Sequence, residues 1–215
     1  MANSSHFHTM EYKTLLARSS AEFTERKSVF IGHGAPVNSE DEAKAFIESI
    51  RREHRDAKHN CHAYILRGGV KRFSDDGEPG GTAGVPMLDV LEKSGITNAC
   101  IVVTRYFGGI LLGAGGLVRA YSHAAKLAVE ACGIGVMTEC AVMTVRVGYD
   151  FFGTLDRLLG ESGAVTTGTE YTDSVTVTFH LPANAAEPLI AKIIDVSGGK
   201  YTPVIVGTEY KSLKA

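Results

Sequence analysis

The residues with the clearest chemical potential are two arginines that flank a run of glycines. Residues 102–121 read VVTRYFGGILLGAGGLVRAY, in which an apolar segment ends at Arg105 and a second arginine, Arg119, follows Gly115 and Gly116. Glycines allow positive φ and close approach of the backbone, and a helix N-terminus presents unpaired N–H groups and the positive end of a dipole. Guanidinium groups bind phosphate with forked donors. The pattern therefore predicts an anion-binding site.

The same glycines have a second explanation that the sequence leaves open. Glycines between a strand and a helix also allow a tight turn and close packing of the helix on the sheet. No Gly-Lys-Ser or Gly-Lys-Thr follows, and Val118 stands where a dinucleotide-binding fingerprint needs its third glycine. The standard nucleotide-binding loops are therefore not predicted. If the segment binds RNA, Tyr106 and Phe107 could stack on bases beside the backbone of Gly108 and Gly109.

A second glycine-rich segment, residues 72–84, carries three carboxylates in a loop of turn-forming residues. The carboxylates belong to Asp75, Asp76 and Glu78. Their spacing matches no EF-hand, so no metal site is predicted. We expect them instead to cap turns or to pair with Arg72, Arg105 or Arg119. Thr82 has no identifiable base that could activate it as a nucleophile, so no catalytic residue is predicted and the loop is assigned a supporting role.

A basic run forms the third candidate site, at the expected end of the first helix. It consists of Arg51, Arg52, Arg55 and Lys58. Cations at a helix C-terminus interact favourably with the helix dipole, which explains most such runs. The run is also the densest positive charge on a nearly neutral chain, and so a suitable surface for RNA or an acidic partner. Residues 138–215 carry six Lys and Arg against nine Asp and Glu, so RNA binding is expected in the N-terminal part.

Composition restricts the class of protein. The chain has 215 residues, a net charge of −2 and 44% hydrophobic residues, which suffices for one large or two small domains. A nearly neutral chain binds nucleic acid only through a local patch. No apolar run approaches the roughly 18 residues that span a bilayer and no signal peptide opens the chain, so a cytoplasmic protein without membrane contact is expected. Residues 1–10 lack periodicity and are expected to form a disordered extension.

Cysteines and histidines do not form a metal motif. The four cysteines are scattered without a Cys-x-x-Cys pair and are expected to be reduced thiols. His59, Cys61 and His62 lie together, but on a strand His59 and Cys61 share one face while His62 points away. Two ligands on one face fall short of the four that a structural zinc site requires. No metal or cofactor is predicted.

Hydrophobic periodicity predicts an N-terminal α/β unit over residues 11–135. Ser39 opens a helix as its N-cap, with Glu42 three residues later as in a capping box. The other elements predicted for this unit are strands at 28–37, 61–66 and 100–105 and helices at 85–93 and 116–131. Residues 138–215 then read as strand, helix, two strands, helix and strand, the βαββαβ order of ferredoxin-like domains. The predicted fold class is therefore α+β with two domains.

Four sequence blocks, taken in order, resemble the signature of the IMPACT family. The blocks are DDGEPGGTAG at 75–84, VTRYFGG at 103–109, LG at 112–113 and GGLVRAY at 115–121. The resemblance implies an N-terminal α/β two-layer domain similar to the second domain of a small-subunit ribosomal protein. It also implies a C-terminal domain similar to the last domain of elongation factor G. Both similarities point to translation, and the same N-terminal fold also houses small-molecule kinases and proteases.

Two functions from different classes follow. The preferred one is a non-enzymatic, translation-associated regulator that binds RNA, the ribosome or a translation-machinery protein through the surface of Arg105 and Arg119. Eukaryotic members of the family are implicated in restraining a starvation-responsive kinase of a translation initiation factor by competing for the activator of that kinase. They attach the shared domain to a different partner-binding domain that this sequence lacks, so that role is not carried over whole. The alternative is an enzyme for a phosphorylated or carboxylated small molecule, with the carboxylates of the 72–84 segment as acid, base or metal ligand. An enclosed, apolar-walled pocket favours the enzyme, and an open, positively charged groove favours binding.

Overall fold

The structure is a computed structural model that describes residues 11–212 and divides into two compact units. One unit is Tyr12–Val136, and the other comprises Glu11 and the residues from Met137 onward. The expected disordered extension, residues 1–10, lies outside the described residues. Within residues 11–212, no helix is long and apolar enough to cross a membrane. The described elements show a mixed α+β fold, as predicted.

In chain order, these elements are β1 (Glu11–Leu15), β2 (Ser19–Glu25), β3 (Ser28–Pro36), α1 (Glu40–Glu53), β4 (His59–Ile65), β5 (Lys71–Ser74), α2 (Gly84–Lys93), β6 (Ala99–Tyr106), α3 (Gly113–Cys132), β7 (Ile134–Val147), α4 (Tyr149–Glu161), β8 (Val165–Tyr171), β9 (Val175–Pro182), α5 (Ala183–Val196) and β10 (Val204–Ser212).

The N-terminal unit is built on a sheet of order β2-β3-β6-β4-β5 in which each neighbouring pair is antiparallel. Side chains alternate along β6, so Ile101 and Val103 pack in one hydrophobic cluster with α2 and α3. Cys100 and Val102 pack in a second cluster with α1 on the opposite face. The unit therefore has three layers, helix, sheet and helices, rather than the two layers that the family resemblance implied. Because successive residues of β6 are apolar, both faces of the sheet can be covered by helices.

The strands and helices predicted for this unit are confirmed to within three residues at their ends, whereas β1, β2 and β5 were not predicted. The capping box of α1 is present: the Glu42 N–H donates to Oγ of Ser39 at 3.1 Å, and Oε2 of Glu42 accepts from the N–H of Asn38 at 2.8 Å. The third helix starts at Gly113 rather than at residue 116. Residues 72–74, expected in a loop, belong to β5, which pairs with β4.

The hairpin between β2 and β3 was not predicted. Its two turn residues, Arg26 and Lys27, have φ of 45° and 65°, and Glu25 pairs with Ser28 across the turn. Positive φ at both central residues is the geometry of a type I′ turn, which usually contains Asn or Gly. The sequence therefore lacks the usual signal of this turn.

The C-terminal unit has strand order β10-β7-β9-β8, and each of these pairs is antiparallel. Its core joins one face of the sheet to α4 and α5, where Leu155, Leu159, Leu189 and Ile193 meet strand residues such as Val177. The order of elements, strand, helix, two strands, helix and strand, agrees with the prediction from hydrophobic periodicity.

A buried histidine is expected to make the stability of the N-terminal unit depend on pH. His33 of β3 is 7% exposed, and its ring centroid lies 4.9 Å from that of His54. Burial, and then the charge of His54, lowers the pKa of His33 from 6.5 to about 4, against the opposing effect of Glu53. Between these pH values the unfolded chain binds the proton and the folded chain does not. We therefore expect the contribution of His33 to the free energy of unfolding to be constant well above pH 6.5 and to fall by about 3 kcal/mol as pH decreases to about 4.

The variant His33→Leu separates this contribution from that of other groups. Urea denaturation curves at several pH values between 7 and 4 should show a weaker pH dependence for His33→Leu than for the wild type. Between pH 7 and pH 4, the loss in free energy of unfolding should be smaller in the variant than in the wild type by about 3 kcal/mol, the contribution assigned to His33. Parallel pH profiles for the two proteins would show that His33 does not stay neutral in the folded state.

Candidate functional site

Arg105 and Glu78 form a buried ion pair at the end of β6. Nη1 of Arg105 lies 2.7 Å from Oε1 of Glu78, and the two side chains expose 6% and 4% of their surface. The hydroxyl of Tyr121, on α3, donates to the same Oε1 at 2.8 Å. Burial raises the pKa of Tyr121 well above its usual value, so this hydroxyl remains a donor. The triad connects β6, α3 and the loop that follows β5.

Aromatic rings surround the Arg105 guanidinium. Its central carbon lies 5.4 Å from the ring centroid of Phe30 and 5.5 Å from that of Phe107, within the range of cation–π interactions. Nε of Arg105 is buried and has no hydrogen-bond partner within residues 11–212. The positive charge of Arg105 is therefore balanced by Glu78 inside the protein rather than presented to solvent.

Tyr106 lies on the other face of the sheet from Arg105. Its hydroxyl is 3.0 Å from Nδ1 of His54, which ends α1. Successive side chains of a strand point to opposite faces, so the two neighbours in sequence are separated by the sheet. The Tyr106 side chain therefore contacts the end of α1 and does not lie beside Arg105. Because the sheet is antiparallel, the rule that ligands gather at the carboxyl ends of parallel strands also does not apply to β6.

Arg119 lies over the first turn of α3. Gly115 and Gly116 belong to this turn, and no side chain caps the helix. Within residues 11–212, the N-cap residue Leu112 makes no side-chain hydrogen bond to the first N–H groups of α3, and such groups at a helix N-terminus are suited to bind an anion. Arg119 is exposed, and a methyl group added to Gly115 would lie 3.6 Å from its Nη1. The guanidinium thus points back toward the N-terminus of α3, the direction that helical side chains favour.

Asp75 holds the start of α2. Its carboxylate accepts from the backbone N–H groups of Gly81, Ala83 and Gly84 at 2.8, 3.0 and 2.8 Å. Burial on its own raises the pKa of Asp75, but the three donors outweigh burial and the pKa lies below its usual value. Asp75 is therefore occupied as a charged loop and helix cap.

Asp76 and Thr82 also have partners within their own surroundings. Oδ1 of Asp76 accepts from Nη2 of Arg51 at 3.1 Å, and Oδ2 accepts from the N–H of Asn60 at 2.7 Å. The Thr82 hydroxyl donates to the carbonyl oxygen of Pro79 at 2.7 Å. Within residues 11–212, no group of three or more His, Cys, Asp or Glu side chains could hold a metal ion.

The four cations of the basic run differ in their contacts. Nη1 of Arg51 lies 2.9 Å from Oε1 of Glu48, and Nε of Arg52 donates to the Glu48 carbonyl oxygen at 3.3 Å. Arg55 and Lys58 are exposed and form no ion pair with the rest of residues 11–212. Only the last part of the run can therefore offer charge to a ligand without losing an existing contact.

Two cavities open beside the start of α3, and Leu112 lines both. The first, which we call the hairpin groove, has a volume of about 270 Å³ and is lined by Phe23, Glu25, Arg26, Leu112, Gly116, Arg119, Ala120 and His123. The second, which we call the Glu78 cavity, has a volume of about 360 Å³ and is lined by Lys58, His59, Glu78, Pro79, Arg105, Phe107, Leu111, Leu112, Gly113, Ala114 and Leu117. Arg105 and Arg119 therefore line different cavities.

Several lining residues were not identified from the sequence. Arg26 was missed because the β2–β3 hairpin was missed, and alternation of apolar residues in β2 was the signal that could have found it. His123 packs edge-on against Phe23 at 4.7 Å between ring centroids. His59 was considered in the sequence as a zinc ligand, whereas the structure places it in the lining of the Glu78 cavity.

Gly108 is expected not to tolerate a side chain. A Cβ added at Gly108 would lie 2.0 Å from the carbonyl carbon of Lys27, and the Gly108 N–H donates to Oγ of Ser28 at 3.1 Å. The variant Gly108→Ala must push the hairpin away from the loop that follows β6. We therefore expect the free energy of unfolding, measured by urea denaturation, to decrease by about 1–3 kcal/mol.

Gly115→Ala is the matched control from the same segment. A Cβ added there meets nothing closer than 3.6 Å, and alanine is a better helix former than glycine. We expect this variant to gain up to about 1 kcal/mol of stability. Equal losses for the two variants would contradict the distinction between a glycine required by close contact and one that lies in open space.

Comparison with known proteins agrees with the sequence blocks and the fold. Residues 26–129 match the Impact N-terminal domain family, and residues 145–200 match a domain of unknown function, DUF1949. The IMPACT family member YvyE of Bacillus subtilis is 36% identical over 191 residues, which cover 88% of each chain. The IMPACT family member YigZ of Escherichia coli is 39% identical over 178 residues, which cover 81% of this chain and 87% of YigZ.

One eukaryotic relative matches only part of the chain. Protein IMPACT of Rattus norvegicus is 36% identical over 98 residues, 43% of this chain and 31% of the rat protein. A crystal structure described as that of a hypothetical protein matches with a TM-score of 0.61 and 35% identity, covering 92% of this chain and 98% of the other. On the sequence blocks, the domain matches and the extent of these relatives, the chain belongs to the IMPACT family.

Proposed function

We propose that this protein is a non-enzymatic, translation-associated regulator that binds RNA, free or in the ribosome, through the start of α3 in its N-terminal unit. Family membership motivates the link to translation. The chemistry of the surface supports RNA as the partner, and binding to a translation-machinery protein instead is an outcome of the test below.

The observation that carries the proposal is a set of exposed cations without acidic partners around the start of α3. The set consists of Arg26, Lys27, Lys58 and Arg119. None of them forms an ion pair within residues 11–212, whereas Arg51 and Arg105 are both paired. Unpaired cations bind phosphate without first losing a protein contact. Glu25 also lines the hairpin groove and keeps part of this surface neutral.

Exposed apolar side chains beside these cations favour single-stranded RNA over a duplex. Phe107 is 48% exposed and Leu111 is 81% exposed. Aromatic rings stack on bases only where the bases are unpaired. The uncapped N–H groups at Gly113 and Ala114 add an anion-binding element next to these side chains.

Arg105 has a supporting role in this proposal rather than the clamping role expected from the sequence. Its pairing with Glu78 and Tyr121 fixes the end of β6, from which the glycine-rich loop departs. Arg119 and the hairpin residues provide the charge.

Co-sedimentation with ribosomes and with free RNA across a salt series tests the proposal. Phosphate-driven binding must weaken as salt increases because bound counterions are released. We expect binding at low salt that is lost progressively. If the protein binds neither ribosomes nor free RNA at any salt concentration, the proposal is wrong, and a protein partner or a small-molecule ligand is favoured instead.

One observation favours the alternative, an enzyme for an anionic small molecule. The Glu78 cavity has apolar walls and contains a carboxylate that meets an arginine, as expected of an active site. However, burial raises the pKa of the Cys61 thiol to about 12, so it is a poor nucleophile. Asp75, Asp76 and Thr82 are engaged in the loop. Turnover of phosphorylated metabolites by the purified protein would support the enzyme.

We also propose the finer similarities of the two domains and the cellular location of the protein. The strand order β10-β7-β9-β8 supports a ferredoxin-like C-terminal domain over residues 138–215, similar to the last domain of elongation factor G. Residues 11–135 form the N-terminal domain, similar to the second domain of a small-subunit ribosomal protein. A translation-associated role places the protein in the cytoplasm.

A further inference from the structure

The Glu78 cavity presents two hydrogen-bond acceptors. Oε1 of Glu78 accepts from both Arg105 and Tyr121, and no donor within residues 11–212 contacts Oε2. Nδ1 of His59 lies 2.9 Å from the carbonyl oxygen of Asp76. Because a carbonyl oxygen can only accept, the neutral His59 ring carries its proton on Nδ1 and leaves Nε2 as an acceptor. Glu78 and His59 line the same cavity.

The rest of the cavity is apolar on one side and anion-binding on another. Phe107 and Leu111 form its exposed apolar wall. Gly113 and Ala114, at the uncapped start of α3, line it together with the unpaired Lys58. Its volume of about 360 Å³ suits a small planar group. The matching ligand has a donor edge, an apolar face and an adjacent negative charge.

We propose that the Glu78 cavity binds one unstacked RNA base whose exocyclic amino group lies beside a ring-nitrogen acceptor on the Watson–Crick edge, as in cytosine and adenine. In guanine the ring nitrogen at that place is a donor. Oε2 of Glu78 and Nε2 of His59 each accept a hydrogen bond from one N–H of that amino group. The base stacks on Phe107, and its phosphate meets Lys58 and the N-terminus of α3. Uracil places a carbonyl oxygen where the amino group lies, so it faces two acceptors without a donor. The inference rests on the proposed function and adds a base preference to it.

One side chain that lines the cavity also holds a buried donor without a partner in the described part of the chain. Arg105 lines the cavity, is 5% exposed, and its Nε lacks a hydrogen-bond partner within residues 11–212. Such orphaned buried donors are rare in native proteins. Cytosine and adenine each carry a ring nitrogen acceptor next to the amino group, which matches this donor in kind.

Fluorescence anisotropy with nine-nucleotide oligo(C) and oligo(U) tests the base preference, because the two probes have equal length and charge. We expect oligo(C) to bind about tenfold more tightly than oligo(U). Glu78→Gln places an amide donor in the cavity, and His59→Phe removes one acceptor, so both variants should bring the ratio of affinities toward one. Arg119→Ala is the matched control, which should weaken both probes equally and leave the ratio unchanged.

The outcomes separate this inference from the proposed function. Equal affinity of the wild-type protein for both probes overturns the base preference and leaves RNA binding standing. Absence of binding to either probe at any salt concentration overturns both. If Glu78→Gln does not fold, His59→Phe decides, because His59 is only half-buried. An unchanged oligo(C) preference in a folded His59→Phe variant contradicts the assignment of the acceptor pair.

Discussion

Arg105→Met is expected to lower the free energy of unfolding by about 3–5 kcal/mol, because it leaves the buried Glu78 carboxylate without its counter-charge. The side chains of Arg105 and Glu78 expose only 6% and 4% of their surface and are joined at 2.7 Å. Methionine fills a similar volume between Phe30 and Phe107 but donates no hydrogen bond. Urea denaturation followed by circular dichroism measures the change.

Arg119→Met is the matched control, since it removes the second arginine of the same segment. Arg119 is exposed and unpaired within residues 11–212, so we expect a change within about 0.5 kcal/mol. The double variant Arg105→Met/Glu78→Leu should recover most of the loss, because it removes both charges together. Similar stabilities for Arg105→Met and Arg119→Met would contradict the assignment of Arg105 as a structural residue.

Arg26→Ala/Arg119→Ala is expected to weaken single-stranded RNA binding about tenfold at low salt. Two lost phosphate contacts should also reduce the slope of log affinity against log salt by about 1.4. Both residues line the hairpin groove and neither has an acidic partner within residues 11–212. Anisotropy titrations of one oligonucleotide between low and physiological salt give both quantities.

A control with the same loss of charge lies in the C-terminal unit. Arg146 is 2.9 Å from Asp173, and Lys192 is 2.8 Å from Glu161. Arg146→Ala/Lys192→Ala should leave the affinity and the salt slope nearly unchanged, because these cations are already paired. Equal losses for the two double variants would show that net charge, rather than the hairpin groove, controls binding.

The elements around the site were predictable because their signals are local. The apolar run before Arg105 indicated β6, and the Ser39 capping box indicated the start of α1. The family resemblance rests on blocks of contiguous residues and is confirmed by the domain matches. Local patterns of this kind can be interpreted without knowing which elements become neighbours in the fold.

An ion pair between a carboxylate of the 72–84 segment and Arg105 was among the predicted pairings, but the choice of Glu78 as its partner was not predictable because it depends on how distant segments fold together. Glu78 and Arg105 are 27 residues apart and meet because the loop after β5 folds back over β6. The hairpin at Arg26 and Lys27 has no Asn or Gly to signal its turn, so a cationic part of the surface was missed. Which arginines form ion pairs and which stay unpaired could be determined only from the folded structure.

Amide chemical-shift mapping of isotope-labelled protein during titration with single-stranded RNA tests the central claim most directly. The account predicts the largest shifts at residues 26–27 and 107–119, which surround the two cavities, and small shifts among residues 137–212. Shifts confined to residues 137–212, or none in any segment at saturating RNA, would contradict the assignment of the RNA-binding surface to the start of α3.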